Sequence, residues 1–383
     1  MLSRREFLVN ASAVPLIGAS FPEFLSAGEK SSSFPGMIVR MTEPENLEFP
    51  FSSLSSFITP NEQFFVRSHF AVPKIDMKAW KLSVEGAVKQ KLELSLDDLL
   101  RLPSRKLTAT LECAGNGRVF LTPPVPGLQW GHGAVGNAEW SGVPLAAILD
   151  KAGLADAAVE VIFEGADKGQ INSDPKSPGP ITYARSIPIT KAKSDSVLLV
   201  THMNGRPLPL SHGAPLRVVV GGWYGMSSVK WLSRIIVADK PYGGFWQTLD
   251  YSYWVRKDGL PTLLPIQGSE VKSAIAKPAL SEVIPAGAPY RVFGAAWAGE
   301  SAVARVEVST DGGKIWGEAK LLDTAKPLTW VFWEFTWKNP PAGSAKVVVK
   351  ATDKDGRTQP LERSVDRRTY MINHLLPVDV IVR

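Results

Sequence analysis

Cys113 is the only cysteine in this chain of 383 residues, so no intramolecular disulfide can constrain the fold. The fold must instead rest on buried apolar side chains. With 44% hydrophobic residues, the chain is long enough to form two domains, each with a core of its own. The lone thiol itself is then reactive, metal-binding or simply packed in the interior.

The sequence around Cys113 is typical of a strand that ends in a tight loop. A β-prone stretch from Lys106 to Leu111 comes first, and Cys113 then opens a turn-forming Cys-Ala-Gly-Asn-Gly run. A thiolate is a soft metal ligand, and Arg118 could stabilise its charge if the loop folds back. Without further context, a lone cysteine is more often a small buried hydrophobe.

The run from Leu111 to Arg118 resembles the molybdenum-cysteine loop of the sulfite oxidase family. Six further segments resemble that family in the same order, and collinear motifs are far more specific than any one of them. The resemblance extends from about residue 58 to residue 383. The six segments are residues 65–70, 127–130, 203–213, 215–220, 228–231 and 246–251.

This resemblance implies both a cofactor and a fold. In the family, the cysteine supplies the single protein thiolate to a molybdenum held by a pyranopterin dithiolene, and here that role falls on Cys113. The implied cofactor is molybdenum-molybdopterin. The implied fold class is α+β, a mixed sulfite-oxidase-type molybdopterin domain followed by an all-β immunoglobulin-like sandwich that often forms a homodimer contact.

The hydrophobic pattern agrees with a mixed domain over residues 61–255. Short apolar runs such as Val197 to Val200 and Leu216 to Val220 predict strands. The segments from Ser95 to Leu102 and from Pro144 to Ala152 predict short helices opened by Ser or Pro. Residues 28–60 show neither period and predict an N-terminal arm that lies over the surface.

The pattern changes at the C-terminal end, where residues 262–383 predict a β-sandwich. Val303 to Ser309 alternates apolar and polar residues and leads into the turn Asp311-Gly312-Gly313. Trp333 and Trp337 share one face of a further strand with Phe335 between them, and no helical period follows.

Residues 1–27 have the order of a twin-arginine export signal. Arg4 and Arg5 precede a mildly apolar stretch from Val9 to Phe24 and a small-residue end at Ala27. The alternative is an ordinary N-terminal helix, but polar residues interrupt the stretch. Because the cofactor must be buried during folding, export of a folded protein to the periplasm is expected. No apolar run reaches the roughly 18 residues of a membrane span.

Five side chains are candidates for the reaction itself. By the resemblance, Arg67 binds the substrate oxyanion, for which a guanidinium fork is suited. Cys113 ligates the metal, and Arg118 follows it in the loop. Tyr251 corresponds to the family's tyrosine beside the metal, with Tyr242 and Tyr253 as alternatives by register, and Trp130 walls the pocket. The alternative for Trp130 is a core aromatic, and for Arg67 a solvated strand arginine.

Six residues are candidates for holding the pterin and its phosphate. His69 lies two residues from Arg67, which predicts the same face of one strand. The resemblance also assigns His212, Arg217, Ser228 and Lys230 to the pterin or its phosphate, Asp167 to the pterin nitrogens, and Cys113 to the metal.

Two departures from the family pattern bear on the substrate. Gly117 and Pro126 stand where animal and plant members usually have basic residues, and the C-terminal domain shows no recognisable second substrate arginine. The sequence has no haem or iron–sulfur motif. Electrons are therefore expected to leave to a separate protein, a c-type cytochrome or a haem subunit.

The sequence thus predicts an exported sulfite dehydrogenase that converts sulfite to sulfate. A net charge of +6 suits an anionic substrate, and scattered basic residues do not favour nucleic acid. One alternative is a reductase of sulfoxides or other oxo-substrates on the same cofactor. Another is an exported immunoglobulin-like binding protein without catalysis, which would contain no molybdenum.

Overall fold

The structure is a computed structural model that describes residues 34–383. The predicted export signal at residues 1–27 and the first residues of the predicted arm lie outside this range. Within it, no helix has the length and apolar character needed to cross a membrane.

The described chain is mostly β, with a few short helices, and it forms two domains. The strands are β1 Ile38–Thr42, β2 Glu45–Glu48, β3 Lys81–Gly86, β4 Leu92–Ser95, β5 Arg105–Glu112, β6 Val135–Pro144, β7 Glu160–Gly169, β8 Ile181–Pro188, β9 Val197–Met203, β10 Arg206–Pro207, β11 Arg217–Val220, β12 Leu232–Ala238, β13 Ser252–Lys257, β14 Leu260–Pro265, β15 Lys272–Lys277, β16 Val283–Ile284, β17 Tyr290–Trp297, β18 Val303–Ser309, β19 Gly317–Glu318, β20 Lys320–Leu321, β21 Val331–Trp337, β22 Gly343–Asp353 and β23 Val378–Val382.

Three short α-helices and seven other helical turns connect these strands in the described chain. The α-helices are α1 Leu96–Leu100, α2 Leu145–Ala152 and α3 Ile189–Ala192. The 3-10 turns are Phe51–Ser53, Asn61–Gln63, Arg118–Phe120, Leu210–His212, Gly225–Ser227 and Val365–Arg367, and a π-helical turn covers Trp246–Asp250.

Local sequence explains the helix starts. Ser95 accepts a hydrogen bond from the Asp98 backbone N–H, and the Asp98 carboxylate bonds back to the Ser95 backbone, so a capping box begins α1. Helix α2 buries Leu145, Ile148 and Leu149, which lie three and four positions apart and form one apolar face. The predicted helices and strands of this domain are therefore present, with ends that shift by a few residues.

Two five-stranded sheets build the N-terminal domain and position the loops of the cleft. One has the order β4-β3-β12-β7-β8; the other has the order β10-β9-β6-β5, with β11 also paired to β9. The strand β12 is parallel to β3 and antiparallel to β7, so the first sheet is mixed. Strand β5 ends at Glu112 and delivers Cys113 to the edge of the core.

The C-terminal domain is the predicted sandwich. A four-stranded sheet, β15-β17-β21-β20, and a five-stranded sheet, β16-β23-β22-β18-β19, share one apolar core. The predicted strand Val303–Ser309 is present as β18, and the buried Trp333 and Trp337 of β21 fill the core.

The prediction of a surface arm without strands was wrong for the part that the structure describes. Residues 38–48 form the β1–β2 hairpin. Leu47, Phe49 and Phe51 are buried in a cluster with Phe293 and Trp297 of the C-terminal domain. The arm is thus part of the apolar core between the two domains, because its aromatic residues need burial that a surface position would not give.

Candidate active site

One cleft collects most of the predicted site residues. It contains about 650 Å³ of empty space between the two sheets' loops. Nine of the eleven candidates line it, and Arg118 and Trp130 do not. The nine are Arg67, His69, Cys113, Asp167, His212, Arg217, Ser228, Lys230 and Tyr251.

Cys113 lies at the base of the cleft with its thiol almost fully buried. Its backbone N–H donates to the Ala134 carbonyl at 2.9 Å, which continues the β5–β6 pairing into the loop. Burial raises the pKa of the Cys113 thiol, although Arg67 and Arg118 lower it in part. A thiolate here therefore depends on a stronger counter-charge, such as a metal ion.

Arg118 and Trp130 lie behind the Cys113 loop instead of in the cleft wall. The Arg118 guanidinium donates to the carbonyls of Thr369 at 3.1 Å and Leu128 at 2.8 Å. A Cβ on Gly127, whose φ is +109°, would lie 2.8 Å from Arg118 Nη1, so only glycine allows this approach. Trp130 has no exposed surface and packs in the apolar core under the loop.

Arg67 and His69 do not share a strand face, so that prediction was wrong. Among the residues around them, only Val66 makes a β-bridge, to Leu47, and the chain is irregular from there to residue 70. Both side chains nevertheless line the cleft. The irregular backbone, held by a 2.9 Å hydrogen bond from Ser68 N–H to Asn46 Oδ1, allows this.

Tyr251 lines the cleft together with Tyr183, whereas Tyr242 and Tyr253, the alternatives by register, do not. The Tyr251 hydroxyl lies 2.7 Å from His69 Nε2. Burial raises the pKa of Tyr251 well above its ordinary value, so the phenol keeps its proton. Burial, together with the charges of Arg67 and Lys230, lowers the pKa of His69 well below its ordinary value. A neutral imidazole therefore faces a protonated phenol.

The cleft carries more positive than negative charge. Its lining contains three cationic side chains, Arg67, Arg217 and Lys230, and one carboxyl, that of Asp167. Burial raises the pKa of Asp167 to about 6, while Lys230 lowers it. Burial alone lowers the pKa of Arg217 to about 9. Both pKa shifts arise because a low-dielectric cleft disfavours the charged form of each side chain.

Arg217 has a buried side-chain donor that is available to an anionic group. Its side chain donates to the carbonyls of His212 at 3.0 Å and Ser228 at 2.9 Å, and its Nε has no partner among the described residues. Lys230 donates to Ser68 Oγ at 2.8 Å and to the Ser211 carbonyl at 2.9 Å. All four of these acceptors are neutral, and burial lowers the pKa of Lys230 well below its ordinary value. An anionic group in the cleft would therefore favour the charged forms of both basic side chains.

Two family models together match most of the described chain. A family model described as the oxidoreductase molybdopterin binding domain matches residues 69–246, and one described as the Mo-co oxidoreductase dimerisation domain matches residues 264–382. Sulfite oxidase of Gallus gallus is 38% identical over 346 residues, which cover 85% of this chain and 73% of that protein. The chain belongs to the sulfite oxidase family.

The matches to other relatives cover different shares of those proteins' lengths. Mitochondrial sulfite oxidase of Homo sapiens is 39% identical over 85% of this chain, and the match spans 62% of the human protein. Nitrate reductase [NADH] 1 of Arabidopsis thaliana is 32% identical, and the match spans 38% of its length. The crystal structure of the sulfane dehydrogenase SoxCD from Paracoccus pantotrophus superposes with a TM-score of 0.76 and 26% identity, covering 96% of this chain and 95% of that one.

The cleft fits the molybdopterin cofactor that the family implies. Cys113 offers a soft thiolate ligand, as molybdenum requires. The unpartnered Nε of Arg217 and the ammonium group of Lys230 suit a phosphate, and Asp167 and His212 offer polar atoms to a pterin ring. His212 is neutral, because burial and nearby Arg217 and Lys230 lower its pKa to about 3.

Sequence reasoning missed three contributors to the site. Tyr183 stacks on His69 with ring centroids 4.4 Å apart. Glu112, directly before Cys113, is buried and paired with Lys272 of the C-terminal domain at 2.8 Å. Tyr370 of that domain lies 4.9 Å from Tyr251, ring to ring. The acidic residue beside the cysteine was a usable signal; the other two residues have no local motif.

The departure at Gly117 has a structural reason. Gly117 adopts φ +96°, and a Cβ there would lie 3.2 Å from Ile372 Cγ2 of the C-terminal domain. An arginine at this position would be strained and crowded. Any second cation at the substrate must therefore come from elsewhere in the fold.

Proposed function

We propose that this protein is a sulfite dehydrogenase that converts sulfite to sulfate and passes the electrons one at a time to a separate c-type cytochrome. The observation that carries the proposal is the position of Arg67 and Tyr251 in one cleft with the Cys113 thiol. Arg67 offers a cation to an oxyanion, Tyr251 offers a proton donor, and Cys113 offers a soft metal ligand, all in the same cleft. Its relatives named sulfite oxidase support the same substrate.

The chain's own residues bind the substrate and manage its protons. Sulfite and water together give sulfate, two protons and two electrons, with water as the source of the added oxygen. When bound, the molybdenum cofactor supplies the two-electron oxidant. The Arg67 guanidinium holds the oxyanion by charge-assisted hydrogen bonds. The Tyr251 hydroxyl is the proton-bearing group at the site, and the neutral His69, 2.7 Å away and with a lowered pKa, orients this phenol.

The electron acceptor and the assembly are part of the proposal. The matched dimerisation domain supports a homodimer, and the two-part name of SoxCD supports a partner subunit for a protein of this fold. We place the enzyme in the periplasm on the Arg4-Arg5 signal of the sequence. Replacing both arginines by lysine should leave the enzyme in the cytoplasm; undiminished periplasmic activity in that variant would remove this part of the proposal.

The second candidate function is reduction of an oxo-substrate on the same cofactor. The nitrate reductase relatives favour it, with 32% identity over 84% of this chain. Arg67 argues for an anion, but nitrate is also an anion. The reaction direction therefore has to be measured. Membership of a molybdopterin oxidoreductase family disfavours the third alternative, a binding protein without catalysis.

The test is a steady-state assay of the purified, molybdenum-loaded protein. Sulfite with oxidised cytochrome c is compared with nitrate and with dimethyl sulfoxide, each supplied with a reduced dye. We expect turnover with sulfite that is at least tenfold faster than with either oxo-substrate. The Arg67→Lys variant is the matched control, since it keeps the positive charge and loses the paired N–H donors of the planar guanidinium group. Faster turnover of nitrate or sulfoxide would replace the proposal with the reductase alternative.

A further inference from the structure

One loop of the C-terminal domain enters the active-site region of the other domain. Between β22 and β23, the Met371 backbone N–H donates to the Ala114 carbonyl at 2.7 Å, one residue after Cys113. The Thr369 carbonyl accepts the 3.1 Å bond from Arg118. The sandwich domain therefore contacts the cysteine loop directly.

The same loop also holds the segment that carries Tyr251. Arg368 Nη1 donates to the carbonyls of Leu249 at 2.9 Å and Asp250 at 3.1 Å, at the end of the π-helical turn. Arg368 adopts φ +56°, an uncommon conformation for a residue with a side chain. The loop thus bonds to backbone oxygens that the π-helical turn leaves free.

Tyr370 lies between these two contacts and makes the closest ring contact of Tyr251. The centroids of the Tyr370 and Tyr251 rings are 4.9 Å apart with an interplanar angle of 41°. The rings of His69 and Trp246 lie farther from Tyr251, at 5.6 Å and 6.4 Å. The Arg118 guanidinium lies 5.2 Å from the Tyr370 ring.

Tyr370 also holds the side chain of the residue before Tyr251. Its hydroxyl donates to Asp250 Oδ1 at 2.6 Å, a charge-assisted bond to the residue directly before Tyr251. Burial and the neighbouring Asp250 raise the pKa of Tyr370 well above its ordinary value, so it remains a donor. One side chain therefore fixes both the ring of Tyr251 and the carboxylate of the residue before it.

We propose that Tyr370 is a positioning residue that sets the orientation of the Tyr251 phenol, so that the C-terminal domain completes the active site. The inference rests on the proposed function in one respect, that Tyr251 faces the substrate. A displacement of about 1 Å at a reacting group can cost about a hundredfold in rate. Loss of the Tyr370 ring leaves that side of Tyr251 without its nearest neighbour.

A double-mutant cycle with Tyr251 tests this inference. We expect Tyr370→Leu to lower kcat for sulfite about tenfold and to change KM less than threefold. Tyr370→Phe, which keeps the stacked ring, should retain at least a third of kcat. In the Tyr251→Phe background, Tyr370→Leu should change kcat less than twofold, because the phenol on which it acts is already gone. Equal tenfold losses in both backgrounds would overturn the proposal.

Hydrogen exchange separates this inference from the proposed function. In Tyr370→Leu, amides of residues 246–252 should exchange at least fivefold faster than in wild type, with residues 303–309 as the unchanged reference. Unchanged exchange at 246–252 would overturn the inference whatever the substrate proves to be. A wild-type protein that does not oxidise sulfite would instead contradict the proposed function.

A second variant covers the case in which Tyr370→Leu does not fold. Asp250→Ala removes the acceptor and keeps both rings. We expect a loss in kcat of about threefold that vanishes in the Tyr251→Phe background. The same loss in both backgrounds would show that Asp250 and Tyr370 act on the fold alone.

Discussion

Loss of the Lys272 ammonium should destabilise the protein by several kcal/mol through the active-site loop. Lys272 Nζ lies 2.8 Å from Glu112 Oε1, and the two side chains are only 3% and 2% exposed. Lys272 also donates to the Asn116 carbonyl at 2.9 Å. Glu112 accepts further bonds from Trp297 Nε1 at 2.9 Å and Asn116 Nδ2 at 3.0 Å. This network ties the C-terminal domain to both sides of Cys113.

The magnitude follows from the burial of the pair. Lys272→Met leaves the Glu112 carboxylate buried without its counter-charge, and breaking a buried pair in this way costs about 3–5 kcal/mol. The remaining bonds from Trp297 and Asn116 to the carboxylate place the expected loss toward the lower end of that range. The double variant Glu112→Gln/Lys272→Met, which removes both charges, should recover most of it.

The assay is urea denaturation followed by tryptophan fluorescence, with molybdenum measured per chain. The matched control is Lys346→Met, since the Lys346–Asp379 pair is slightly shorter, at 2.6 Å, but about 60% exposed on both sides. Its loss should cost at most about 1 kcal/mol. Lys272→Met should also reduce bound molybdenum, because Cys113 lies inside the disrupted network. Equal effects of the two methionine variants would refute the reasoning.

Three further outcomes are expected. Arg67→Gln should lower kcat/KM for sulfite roughly ten- to a hundredfold and affect a neutral sulfoxide less, because the charge-assisted bond is lost; a larger loss for sulfoxide would contradict this. Arg217→Gln should lower the molybdenum content per chain and leave kcat per molybdenum within threefold; full loading would argue against an anion site. Burial lowers the pKa of His132 to about 3 from its ordinary 6.5, so between these values the proton binds the unfolded state more tightly and stability falls as the pH drops from 6.5 toward 3. His132→Phe should therefore flatten the acid side of the stability curve of the metal-free protein, by up to about 1.4 kcal/mol per pH unit, and an unchanged slope would oppose it.

Local motifs predicted which residues line the cleft better than they predicted the backbone structure that positions those residues. Cys113, Lys230 and Tyr251 were identified because each lies in a run that resembles the family, and the structure places all three in one cleft. Arg67 and His69 were placed on a strand because they are two residues apart. The chain there is irregular, and the Ser68 backbone N–H donates to the Asn46 side chain instead of to a β-ladder.

Contacts between the domains could not be predicted from local pattern. Glu112 and Lys272 are 160 positions apart in the sequence, and a lone lysine at the start of a strand is usually solvated. Tyr370 follows the basic run that ends at Arg368, which resembles an exposed loop. The buried arm was missed for a related reason. Phe49 and Phe51 alternate with other residues over only a short stretch, and their burial comes from packing against the C-terminal domain, which local pattern does not show.

The central claim is that Cys113 binds molybdenum in this cleft, and X-ray absorption at the molybdenum edge tests it most directly. Wild-type protein and Cys113→Ser, both loaded with cofactor, are compared for the number of sulfur atoms bound to the metal. The variant replaces a soft thiolate with a hard hydroxyl of similar size. We predict one fewer Mo–S bond in Cys113→Ser, together with loss of sulfite turnover. An unchanged sulfur count in a loaded Cys113→Ser protein would contradict the account.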